Sequence, residues 1–94
     1  MSHTIALPAV LNAQVALQVQ QQLLAQMQAQ PAGSTLVFNA AAVESFDSAG
    51  LALLLSCRRH ALQRAQVLRV EDLPPRLTSL AQVYGVLPLL THQP

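Results

Sequence analysis

Few side chains in this sequence can do chemistry, and they lie in one short stretch and at scattered points beyond it. Asp47 and Ser48 are neighbours in FDSAGLALLL, residues 46–55, Cys57 follows shortly after, and histidines stand at 3, 60 and 92. A nucleophilic serine needs a base within hydrogen-bond reach. Asp47 is adjacent and acidic, and His60, on the same predicted helix, lies about 18 Å along its axis from Ser48 at 1.5 Å per residue. A nucleophile elbow also requires a glycine two residues before the serine, where Phe46 stands. Catalysis by Ser48 is therefore not expected, and the chain does not read as an enzyme. The histidines lack the spacing of a metal site and read as solvated imidazoles. Cys57 reads as a buried thiol, the common fate of a free cysteine. The glycines, at 33, 50 and 85, form no phosphate-binding loop, so neither nucleotide nor any other cofactor is expected.

The remaining explanation for Asp47 and Ser48 is local. Asp and Ser are preferred helix caps, worth about 1 kcal/mol. Capping accounts for one of the two groups. It does not account for the small Ala49 and Gly50 that follow, where helix propensity favours larger residues. Small residues there would leave the helix N-terminus accessible to a docking surface.

The elements that must position this stretch follow from periodicity. Thr4 to Leu11 reads as a strand that Pro8 either interrupts or confines to an edge. Asn12 is a natural cap for a helix over 13–30, in which Val15, Val19, Leu23 and Met27 recur every four residues with Leu24 beside them. Pro31-Ala32-Gly33 is a break. Ser34 to Asn39 reads as a buried strand, apolar on both faces, and residues 40–46 as a short connection. A second helix, beginning at Asp47 or Ser48, runs to about Arg64 with Leu51, Leu54, Leu55, Leu62 and Ala65 as its inward stripe. Gln66 to Val70 is a third strand. Pro74-Pro75 opens a third helix with Leu77, Leu80, Ala81 and Tyr84 inward, and Gly85 closes it. The order β-α-β-α-β-α implies an α/β domain, with three or four mainly parallel strands joined by right-handed crossovers. So few helices leave one sheet face, or an edge of it, thinly protected.

Composition narrows the function class. The 94 residues fit one small domain, 1–94, with 10% charged and 52% apolar residues and a net charge of +1. All the basic residues are arginine, and they form no clustered field of the kind that holds nucleic acid. The longest apolar run, Leu51 to Leu55, is far short of the ~18 residues of a membrane span, so no direct membrane insertion is expected. The N-terminus lacks the charge and apolar run of a signal peptide, and a lone cysteine suits a reducing compartment. These features point to the cytoplasm. Such a weakly charged surface is expected to leave apolar area for a partner, and dimerisation of the isolated domain fits the same composition.

The loop-to-helix stretch resembles that of STAS domains, the fold shared by anti-sigma factor antagonists and the cytoplasmic tails of sulfate transporters. Phe46, Asp47, Ser48, Ala49, Gly50 and Leu51 match its pattern of an apolar strand end, Asp, Ser or Thr, a small residue, Gly and Leu. The β-α-β-α-β-α order extends the likeness over almost the whole chain, with the first strand of many members missing. TIALPAVLN at 4–12, GLALLL at 50–55 and LAQVYGV at 80–86 resemble, within the family, the STAS subunits of bacterial phospholipid ABC transporters, which maintain outer-membrane lipid asymmetry. The resemblance implies a non-catalytic subunit that binds the cytoplasmic ATPase, and through it the membrane permease, at the inner face of the inner membrane. It places Ser48 at the family's functional hydroxyl, with Asp47, Ala49 and Gly50 completing the contact loop. Leu53 and Cys57 beside the main stripe, rimmed by Arg58 and Arg59, then become candidate contact residues. The alternative implied by the same family is an anti-sigma factor antagonist switched by phosphorylation of Ser48.

Overall fold

A computed structural model describes residues 2–91. His92, expected to be solvated, lies outside the described residues. Strands β1 (Ser2–Ala6), β3 (Thr35–Asn39) and β5 (Val67–Glu71) form a parallel sheet in the order β1-β3-β5. A second, two-residue parallel ladder joins β2 (Val10–Leu11) to β4 (Ser45–Phe46). The helices are α1 (Ala16–Gln28), α2 (Ser48–Gln63), α3 (Pro75–Val83) and α4 (Leu87–Thr91). The domain is thus α/β, with parallel strands and the crossover order expected.

The side-chain alternation of the sheet decides the architecture. In register, Ile5 lies beside Phe38 and Phe38 beside Val70, while Leu36 lies beside Leu68. All five belong to one buried core with Leu23, Met27, Leu54 and Leu77. The opposite row runs Thr4, Val37, Arg69 and, one pleat on, Ala6, Asn39, Glu71. That row is polar, and the Arg69–Glu71 ion pair at 2.8 Å lies along it. Val37 is nearly buried yet stands apart from the main core cluster. Thr4 and Arg69 are its register neighbours on either side. The helices therefore cover one sheet face and leave the other open, in line with the expectation of thin protection.

Several boundaries differ from the sequence reading, each for a local reason. Pro8 does break the first segment, and the two pieces join different ladders. Asn12 does not cap α1. Its Oδ1 accepts from Gln14 N at 3.1 Å, making a turn, and the helix begins at Ala16 without a side-chain cap. The connection over 40–46 contains β4, too short to have a period. The inner stripe of α2 is Gly50, Leu51, Leu53, Leu54, Cys57 and Ala61, whereas Leu62 is 55% exposed. Ala65 lies past the helix and is exposed. Tyr84 is the C-cap of α3 and is exposed rather than inward. After Gly85, with φ +70°, the chain forms α4, whose Leu90 is buried and which packs on β5.

One buried polar side chain went unremarked in the sequence. Gln66, 1% exposed, donates from Nε2 towards the carbonyls of Met27, Gln30 and Pro31 at 3.2–3.3 Å. It pins the turn after α1 to the start of β5, satisfying carbonyls that the helix end would otherwise leave open.

Candidate functional site: the N-terminal ridge of the second helix

The question posed by Asp47 and Ser48 has a divided answer. Asp47, in extended conformation, is the N-cap of α2, its Oδ1 accepting from Ala49 N at 2.9 Å and Gly50 N at 3.3 Å. Its other oxygen, Oδ2, accepts from Ala13 N at 3.1 Å, and its own N–H donates to Leu11 O at 3.3 Å. One carboxylate therefore caps the helix and ties it to the chain leaving β2. Ser48 is left exposed in the first turn, and among the described residues its hydroxyl has no hydrogen-bond partner. Asp47 is the cap, and the Ser48 hydroxyl is available to something else.

Gly50 has a different duty from the one expected. It is buried, and a Cβ built there would lie 2.1 Å from Leu11 O. That separation is impossible for a real side chain, so Gly50 lets the helix approach the β2 backbone. It supports the contact loop without being part of its surface. Ala49 is half-buried.

The anchored N-terminus fixes the rotation of the whole helix. With Gly50 against Leu11, the side chains at 53, 54, 57 and 61 must turn inward. Leu53 is 2% and Cys57 0% exposed, so neither is a contact residue, contrary to the expectation. The reason that periodicity misplaced Leu53 is that residues 49–55 are almost uniformly apolar and define no single stripe. Burial also pushes the Cys57 thiol up to a pKa of about 11 by desolvating its charged form. Arg58 is half-buried and Arg59 exposed.

The outward ridge of α2 is Ser48, Ala52, Leu55, Arg59 and Leu62, which fall within about 80° of one another at 100° per residue. On one flank runs α1, held by Gln20 Nε2 donating to Ser56 Oγ at 3.0 Å. On the other, Tyr84 and Val86 stand beside Ser48, Leu51, Ala52 and Leu55 around an open apolar hollow of about 240 Å³. Tyr84 is 57% and the adjacent Val83 82% exposed. Ala52, Tyr84 and Val86 come together only in the folded chain and were not expected as a group. Their only signal was an aromatic placed just before a helix-ending glycine. No three groups of metal-ligating type come together among the described residues. A second hollow, of about 490 Å³, at the opposite end of the sheet is lined by Ser2, His3 and the turn 30–34.

Comparison with known proteins identifies the family and the fold. A family model described as "Mlab, STAS domain" matches residues 2–91. No curated protein matches the chain significantly. Among solved structures, the anti-sigma factor antagonist SpoIIAA in its unphosphorylated form superposes with a TM-score of 0.74 at 20% identity, covering 93% of this chain and 75% of that one. That likeness is one of fold. The family match spans both ladders, the capped turn and the α2 ridge, and the chain belongs to the MlaB-type STAS domain family.

Proposed function

We propose that the protein is a non-catalytic docking subunit whose contact surface is the α2 ridge, centred on Ser48 and the apolar hollow beside it. The observation that carries this reading is the division of labour at the helix start. Asp47 satisfies the cap, so the neighbouring hydroxyl remains unengaged at the rim of an apolar depression. An unengaged hydroxyl beside apolar surface suits a protein partner better than a small substrate. Family membership supports the partner proposed here: the ATPase subunit of a phospholipid ABC transporter, and through it the permease, at the cytoplasmic face of the inner membrane. No helix among the described residues is long and apolar enough to cross a membrane, so attachment there would run through the ATPase. The test is titration of the purified chain with the cognate ATPase subunit. Ser48→Asp, which places a charge at the rim, is expected to weaken binding at least tenfold while leaving the thermal midpoint in place. Wild-type affinity for that variant sinks the reading.

A second reading is favoured by the same exposed hydroxyl at a helix N-terminus, and by the fold shared with an anti-sigma factor antagonist. Phosphorylation of Ser48 would add about −1.5 to −2 charges to the ridge, tolerated by the helix dipole and opposed by an apolar partner. Incubation with a cognate anti-sigma kinase and ATP decides it: a mass gain of one phosphate on Ser48 supports the switch, and an unchanged mass removes it.

A further inference from the structure

The ridge carries a charge that the docking reading leaves unexplained. Arg59 stands on the same outward line as Ala52 and Leu55, followed one turn later by Leu62, which is 55% exposed. Its helical neighbours at i−4, i−3, i+3 and i+4 are Leu55, Ser56, Leu62 and Gln63, so no carboxylate reaches it from its own helix. Among the described residues the single carboxylate–guanidinium pair is Arg69–Glu71, on the far face of the sheet. Asp47 is committed to capping about 18 Å away along the helix, at 1.5 Å per residue.

A surface that covers Leu55 and Leu62 must also cover the residue between them. A guanidinium desolvated without a counter-charge is strongly unfavourable, so an apolar partner surface would be rejected at that point. The ridge runs along α2 with α1 on one flank and the apolar hollow on the other, a line that a partner helix can follow by packing its own ridge beside it. We infer that the partner docks a helix bearing two features on one face: an apolar side chain that fills the hollow beside Ala52, and a carboxylate that meets Arg59. Ala52 and Arg59 are seven residues apart, about 10.5 Å along the axis, so the two partner residues are also about seven apart, two turns of helix. The apolar knob supplies contact area and the Asp or Glu supplies register. This inference rests on the docking reading and specifies the chemistry of its partner.

The test uses the purified full chain and the cognate ABC ATPase subunit, with affinities measured at low and at physiological salt. Arg59→Glu is expected to weaken binding about 30-fold or more and Arg59→Gln by less, as removal of a desolvated charge partner does. Arg76→Glu, an exposed reversal on α3, is expected to shift affinity less than threefold. Changing one acidic residue of the ATPase to arginine is expected to restore binding to the Arg59→Glu chain. Arg59 is exposed, so unchanged melting curves are expected for both of its variants. If Ala52→Glu abolishes binding while Arg59→Glu binds like wild type, the docking site stands and the acidic partner is refuted. If neither substitution affects binding, or the wild-type chain does not bind the subunit, the docking reading falls and this inference with it.

Discussion

Asp47 and Ser48 are chemically similar as caps, and their separation of duties can be measured. Asp47→Ala removes three accepted hydrogen bonds, including the one that reaches Ala13. It is expected to cost about 1–2 kcal/mol in urea denaturation, the upper range for a cap. Ser48→Ala, whose hydroxyl is unengaged, is expected to stay within about 0.5 kcal/mol. Equal losses for the two would mean that the serine shares the capping. Cys57 gives a second test at this scale. The folded thiol keeps its proton to about pH 11, against 9.0 for an unperturbed one. Between those values the native state binds more protons than the unfolded state, so stability falls as pH rises. The contribution is whole below pH 9 and lost by pH 11. The urea midpoint is expected to decline across that window and the decline to vanish in Cys57→Ala. A thiol reagent at pH 8 is expected to leave native Cys57 unmodified and to label it once the chain is unfolded.

At the scale of elements, the end of α2 holds a strained residue. Ala65 has φ 56°, with Ala65 N bonded to Leu62 O at 3.1 Å and Gln66 N to Ala61 O at 2.8 Å. This is the two-bond helix ending in which glycine is usual. Ala65→Gly is expected to raise stability by about 1 kcal/mol, read from the urea midpoint, since it relieves the left-handed penalty on a residue with a Cβ. The same helix shows what sequence alone conveys. Its start, its length and the presence of a cap at Asp47 or Ser48 follow from residue types, because capping and helix propensity are local; which of the two caps is set by the geometry. Its rotation does not, because the run 49–55 is apolar all round and only the meeting of Gly50 with Leu11 selects the inward face. Leu53 was misplaced for that reason, whereas Cys57 is the buried thiol its residue type suggests and only its candidacy as a contact fails. Strand β4 and helix α4, of two and five residues, are too short for a period to mark them. The hollow depends on Tyr84 and Val86 meeting α2 across about thirty positions of sequence, and no local pattern carries such a contact.

For the whole molecule, the governing fact is a single core between one layer of helices and one face of a three-stranded sheet. The central strand β3 has neighbours on both sides, while β1 is an edge with only Ile5 buried among its five residues. Opening is therefore expected to begin at β1. Amide hydrogen exchange should be slowest at Leu36 and Phe38 and faster by two orders of magnitude or more in β1, as graded local stability implies. Uniform protection across the three strands would show instead that the sheet opens only by global unfolding.

The polar face of the sheet, with its Arg69–Glu71 pair, points away from the α2 ridge, and even the shortest extent of the molecule is 20 Å. A body seated on one side therefore neither sees nor obstructs a body on the other. A fluorophore carried by a cysteine at position 4 or 35 would ride on the back of the domain, reporting by energy transfer on what arrives at the front. Because the native thiol is sealed in the core, such a label would go to the new cysteine alone. The fold thus provides a vantage point from which assembly can be watched without touching the contact under study.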